Sequence, residues 1–170
     1  GCQDYGSLKG INQELQRQYS AALSVYVRKK GHYQGVGYFL TYLDDRLAFG
    51  GECISDACLE LLKNVLLHPI IKDGAFDADI VAQEKKNLKD LLESRMNDKI
   101  LYGLDKCNQH MCKGSPYALS EYGRMEDFGE EGITGASLYE AYQELLQNAR
   151  CELVYIGRKD GAEMAAKLEQ

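Results

Sequence analysis

Only two prolines interrupt the 170 residues, and no apolar run approaches the roughly 18 consecutive residues that a membrane-crossing helix needs. The apolar runs are short, Val65-Leu66-Leu67 and Leu153-Val154-Tyr155-Ile156 among them, so a transmembrane helix is excluded. The N-terminus, Gly1-Cys2-Gln3-Asp4-Tyr5, carries neither a basic nor an apolar stretch, and no secretory signal is visible. Gly1 in place of Met leads us to expect either a cloning scar or an excised fragment. Cations are in deficit, 20 against 26 acidic residues, for a net charge of −6. Neither nucleic acid nor an anionic membrane would be attracted by that overall field, so we expect no partner of either kind.

Several catalytic signatures are also missing. No His-x-x-x-His or His-x-x-Glu-His spacing exists among His32, His68 and His110, so this chain alone cannot build the usual helical two-histidine zinc site. There is no Gly-x-Ser-x-Gly nucleophile elbow and no Gly-x-x-x-x-Gly-Lys phosphate loop. The three glycines from Gly31 to Gly37 fall inside a hairpin rather than before a helix. Internal repeats and low-complexity segments are absent.

What is present is material for a packed core: 45% hydrophobic and 27% charged residues, expected to form a single domain over residues 1–170. Six cysteines in a chain of this length without a signal read as reduced thiols of a cytoplasmic protein. Cys53 with Cys58, and Cys107 with Cys112, stand five apart in helical segments, where the side chains diverge too far for a disulfide.

The spacing of Leu8, Ile11, Leu15 and Tyr19 predicts a short helix over 7–19. Alternation over 20–29 (Leu23, Val25, Val27) predicts a strand, followed by a turn at Lys29-Lys30-Gly31-His32 and a second, antiparallel strand over 33–43. Helices are predicted over 54–67 and, capped by Asp77, over 78–113, with Gly103 and the Asn97-Asp98 pair as the places where the second would bend. A polar connection over 118–132 is anchored by Phe128. Thr134 or Ser137 then caps a helix to Asn148, with Leu138, Tyr142, Leu145 and Leu146 turned inward; a strand over 151–156 and a last helix from Asp160 follow. The expected class is α+β, a two-layer sandwich of helices on a mostly antiparallel sheet.

Two groups of residues offer chemistry. Cys107, His110 and Cys112 form a Cys-x2-His-x-Cys cluster which, with His68 or another thiol, would supply four soft zinc ligands. On one continuous helix the three do not converge, so core packing is the expectation for them. Glu84, Asp90, Glu93 and Asp98, interleaved with lysines and Arg95, read as a solvated charged face of the long helix.

Five segments, however, carry a resemblance. Ala75-Phe76-Asp77 through Gln83-Glu84-Lys85-Lys86-Asn87-Leu88, Met96-Asn97-Asp98-Lys99, Gly114-Ser115-Pro116-Tyr117, Tyr122-Gly123 and Tyr155-Ile156-Gly157 occur in an order that resembles the pitrilysin/insulinase family of zinc peptidases. More narrowly, the set is similar to bacterial peptidase-like proteins related to mitochondrial processing peptidase. The resemblance implies the metallohydrolase fold of that type. It also implies a domain truncated at its N-terminal side, without its companion domain and without the His-x-x-Glu-His motif, which would precede Gly1.

Active members place a glutamate zinc ligand on the long helix seven residues after another glutamate. Glu84 matches the earlier one, but seven residues on stands Leu91, which cannot bind a metal and which fits the apolar stripe; Asp90 and Glu93 flank it at the wrong helical angle. The resemblance therefore implies no cofactor in this chain (zinc in active relatives), no catalytic residue, and a non-catalytic subunit that binds peptide or pairs with an active homologue. Tyr38, Phe39 and Tyr42 on the second strand are the candidate peptide-binding residues, at a sheet edge. A truncated domain is also expected to self-associate through exposed apolar surface. Two alternatives stay open: an active zinc endopeptidase whose histidines lie upstream, and an α+β interaction module unrelated to proteolysis.

Overall fold

The computed structural model describes residues 1–129 and 132–169. Their elements are α1 (Leu8–Arg17), β1 (Ala22–Lys30), β2 (Tyr33–Thr41), α2 (Ile54–Leu67), α3 (Ala78–Asn97), α4 (Lys99–Met111), α5 (Gly135–Asn148) and α6 (Gly161–Glu169), with 3-10 turns at Asp45–Leu47, Pro116–Ala118 and Met125–Phe128. Glu130 and Glu131 of the expected connection, and Gln170 at the expected end of the last helix, lie outside the described residues. No helix among those described is long and apolar enough to cross a membrane.

The class is α+β, but the sheet among the described residues has two strands only. Gly31, at φ +63°, supplies the left-handed residue of the tight loop between β1 and β2, a conformation that costs glycine nothing. The strand expected over 151–156 is a correction. Its backbone enters no ladder, and Val154 and Ile156 are 82% and 93% exposed, so the segment pairs with neither described strand. A mostly antiparallel multistranded layer is therefore not what the described residues form.

The chain divides into two compact units. The first comprises Gly1–Val25, Tyr38–Ile70 and Asn148–Gln170. Its core gathers Cys2, Ile11, Leu15 and Ala21 with Ile54, Cys58 and Leu61 of α2, and Leu23, Leu40, Tyr42 and Val65 pack around them. The three- and four-residue spacing of Ile11 with Leu15, and of Ile54, Cys58 and Leu61, puts each set on one helix face, so the two buried stripes can meet. On β1 only Leu23 of the expected apolar face is covered; Val25 is exposed. Asp160 starts α6 as predicted, accepting from the backbone N–H groups of Ala162 and Glu163 at 2.8 and 3.3 Å, and Met164 is the buried anchor of that helix.

The second unit comprises Tyr26–Gly37 and Ile71–Gln147. Asp77 caps α3 as predicted, through the N–H groups of Asp79 and Ile80. The long helix expected over 78–113 is two helices. At Asp98 the backbone turns extended (φ −78°, ψ 97°), and the Asp98 side chain accepts from the N–H groups of Ile100 and Leu101 at 3.1 Å each, so one residue ends α3 and caps α4. Asp98→Ala is expected to cost about 1 kcal/mol, read as a lower denaturation midpoint with unchanged slope.

Phe128 is buried, as its role of anchor requires, and Lys85 Nζ reaches across to the carbonyls of Gly129 and Ile133 at 2.9 and 3.0 Å. Thr134 and Ser137 bond each other's backbone N–H groups and so cap α5 jointly. Phe76 packs edge-on against Tyr139 and Tyr142 of α5, whereas Leu138, Leu145 and Leu146, expected inward, are exposed. The aromatic turns of α5 face Phe76, which leaves the leucine side without a described cover.

Candidate functional site

The inward stripe of α3 is Val81, Lys85, Leu88, Leu92 and Arg95, spaced by four, three, four and three residues. Glu84 and Leu91, two helical turns apart, share a different, exposed face. Leu91 is 41% exposed, so it does not belong to the buried apolar stripe as expected. The Glu84 carboxylate accepts from Asn87 Nδ2 at 3.2 Å. Asp90, Glu93 and Asp98 are exposed too, as a solvated charged face requires. Among the described residues no three His, Cys, Asp or Glu side chains are grouped so as to hold a metal ion.

The three edge-strand candidates lie in the first unit and differ in accessibility. Phe39 is 64% exposed and Tyr38 half-buried, its phenol pushed up by burial. Tyr42 packs on the core; its phenol is also pushed up by burial, and its Oη finds no hydrogen-bond partner among the described residues. Tyr42 is therefore a packing residue, and Phe39 the side chain available to a ligand.

In the second unit the outer edge of β1 is occupied. Lys29 N–H donates to Glu121 Oε2 at 3.3 Å, and Lys29 Nζ donates to the carbonyls of Tyr117, at 2.8 Å, and Leu119. The segment after α4 thus covers β1, while β2 has no second strand beside it among the described residues.

The same segment builds a cleft of about 480 Å³ lined by Leu92, Met96, Tyr102, Asp105, Leu119 and Met125, among others. At its wall Arg95 Nη2 donates to Asp105 Oδ2 at 3.1 Å, and its guanidinium lies 4.9 Å from the Tyr122 ring centroid. Three of the family-like segments, those containing Met96, Tyr117 and Tyr122, therefore meet in this one unit. Sequence reasoning read them as a helix end and a polar connection. The signal that could have joined them was tyrosine beside cation, since Arg95 and Lys29 each cover a ring, Tyr122 and Tyr117 respectively.

A second polar cluster, in the first unit, was not foreseen. Lys159 Nζ lies 2.6 Å from Asp45 Oδ2 and donates to Ser55 Oγ at 2.6 Å; Asp45 also accepts from the N–H and hydroxyl of Ser55, both at 2.8 Å, and Lys167 Nζ pairs with Asp56. A lysine on a serine hydroxyl is the arrangement of an activated nucleophile. Here Asp45 holds the Lys159 ammonium above its ordinary value, so it keeps its proton, and Ser55 is buried. The cluster fastens the stretch bearing α6 to α2.

The cysteines are all unpaired, as read from the sequence. Cys107, His110 and Cys112 correct the expectation of core packing: Cys107 and His110 are exposed on α4 and Cys112, its C-cap, is half-buried. Ile100, Leu104, Cys107 and Met111 share one face, which no described element covers.

The fold is thus α+β, with its carboxylate-bearing helix lacking a second metal-binding side chain at the expected place. No family model matches the chain. Along all 170 residues it is 27% identical to the probable inactive metalloprotease YmfF of Bacillus subtilis (strain 168), 39% of which it covers. In three dimensions it is similar to a conserved protein from Enterococcus faecalis V583 known from a crystal structure, with a TM-score of 0.76 and 25% identity over 86% of this chain and 34% of that one. The chain therefore spans little more than a third of either relative, and its likeness in sequence is to a metalloprotease described as inactive.

Proposed function

We propose that this chain is part of a non-catalytic, cytoplasmic member of the pitrilysin/insulinase group, with the metallohydrolase fold of the mitochondrial processing peptidase type, and that it holds extended peptide along the outer edge of β2. The observation that carries the reading is Leu91, which shares the exposed face of Glu84 where active relatives would present a second carboxylate. Whole-length likeness to a probable inactive metalloprotease supports it. With β1 covered at Lys29, β2 is the strand left to accept a peptide by backbone hydrogen bonding, and the exposed ring of Phe39 supplies flat contact area beside it. The exposure of Leu91 favours a second role for the same protein, pairing with an active homologue across that helix face.

The test is a titration of the purified chain with zinc and, separately, with a labelled unstructured peptide. The expected results are no stoichiometric zinc, no cleavage of the peptide, and peptide binding that weakens in Phe39→Ala and on N-methylation of alternate peptide amides. One equivalent of zinc that disappears in Glu84→Gln, together with peptide cleavage, would overturn the reading in favour of a catalytic site.

A further inference from the structure

We propose that Cys107 and Met111, with His110, form a binding site for a soft monovalent metal ion, copper(I), on the exposed face of α4. Cys107 Sγ lies 3.4 Å from Met111 Sδ, one helical turn on. His110 falls between them in sequence, and helical geometry puts the three side chains within one sector of about 100°. Met111 is 79% exposed and Cys107 and His110 are exposed, so an ion can arrive without any opening of the fold. His110 has no hydrogen-bond partner among the described residues, which leaves its imidazole free to swing toward the sulfurs.

The donor set selects the ion. A thioether is a poor ligand for hard cations and for most divalent ones, whereas thiolate, thioether and imidazole together suit copper(I). The geometry is close to what such an ion needs. With metal–sulfur bonds of about 2.3 Å, two sulfurs on one ion stand roughly 3.3 Å apart at a right angle and about 4.0 Å apart in a trigonal arrangement. The observed 3.4 Å matches the right-angle separation and requires the sulfurs to part by about 0.6 Å for the trigonal one, which rotation about the exposed Met111 torsions supplies. Binding is a simple exchange in which the Cys107 thiol gives its proton to water as the sulfur–copper bond forms, so one proton is released per ion and no electron is transferred.

The experiment is an anaerobic titration of the whole chain with copper(I) against a chromophoric copper(I) chelator, in a Cys53→Ser/Cys151→Ser background that removes the two other exposed thiols. One tight equivalent is expected. Cys107→Ser should abolish it, Met111→Leu and His110→Ala should each weaken it by an order of magnitude or more, and helix content should stay unchanged because all three residues are exposed. An equivalent that survives Cys107→Ser, or one that is indifferent to Met111→Leu, would overturn the site and leave only adventitious thiol binding.

Discussion

Leu61→Ala is expected to lower the unfolding free energy by about 3 kcal/mol, which a shifted urea midpoint at constant slope would show. Leu61 has no exposed surface and sits on the buried stripe of α2 with Ile54 and Cys58. The substitution deletes three side-chain carbons from water-free surroundings and leaves a cavity walled by helices that cannot close on it. The core of the first unit is small, so there is little compensating repacking, and a loss of this size is a large part of a typical domain's stability of about 5–15 kcal/mol. Cys58 reports the same burial chemically. Desolvation pushes its thiol up to about 11, so reaction with a thiol reagent in the native wild type should be far slower than at the exposed Cys53, and Leu61→Ala should accelerate it.

The second large effect is at Asp45. Replacement by Ala strands the Ser55 N–H and hydroxyl and removes the nearest counter-charge of Lys159, for an expected loss of about 2 kcal/mol. This is less than for a sealed ion pair, because Lys159 is 29% exposed and water can take over part of the role. Adding Lys159→Met should recover part of the loss, since the uncompensated ammonium is then gone.

The pH dependence has a definite sign. Burial pushes the Asp45 carboxyl up, but the bonds from Lys159 and Ser55 outweigh it and hold the group below its ordinary value. The folded state therefore binds fewer protons than the unfolded one. The contribution is complete above the unfolded carboxylate value of about 3.9 and is lost as pH falls through the lower folded value. Wild type and Asp45→Ala should differ by a constant amount near neutrality and converge in acid; a gap that widened below pH 4 would contradict the pairing.

Helices were legible in the sequence where caps and periodicity agreed. Asp77, Thr134 with Ser137, and Asp160 each start a helix because a short polar side chain placed ahead of an apolar pattern meets the free N–H groups of the first turn. Asn97-Asp98 was read as a bend. Asp98 is in fact a full cap, which the continuous apolar pattern across it disguised. The strand over 151–156 failed for a different reason: alternation states what a segment could pair, not whether the chain path brings it to an edge. At the candidate site, the sequence reading set Glu84 on a charged face and Leu91 on the apolar stripe, whereas both stand on one exposed face. That Leu91 faces outward was not legible, since a leucine satisfies both an apolar stripe and an exposed docking face. The Asp45–Lys159 cluster joins residues more than a hundred positions apart, and no local pattern announces such a pair.

The fastening of α6 gives the first unit an order of release. The helix packs on α2 and buries Met164, while Lys159 and Lys167 tie the same stretch to Asp45 and Asp56 with long flexible stems in contact with water. Apolar burial on α2 outlasts salt, whereas screened ammonium–carboxylate pairs weaken with it. Rising ionic strength therefore loosens the Lys159 and Lys167 stems first, while the apolar contact of Met164 keeps α6 in place, so the two ends of the stretch that bears α6 open before the helix itself leaves the unit.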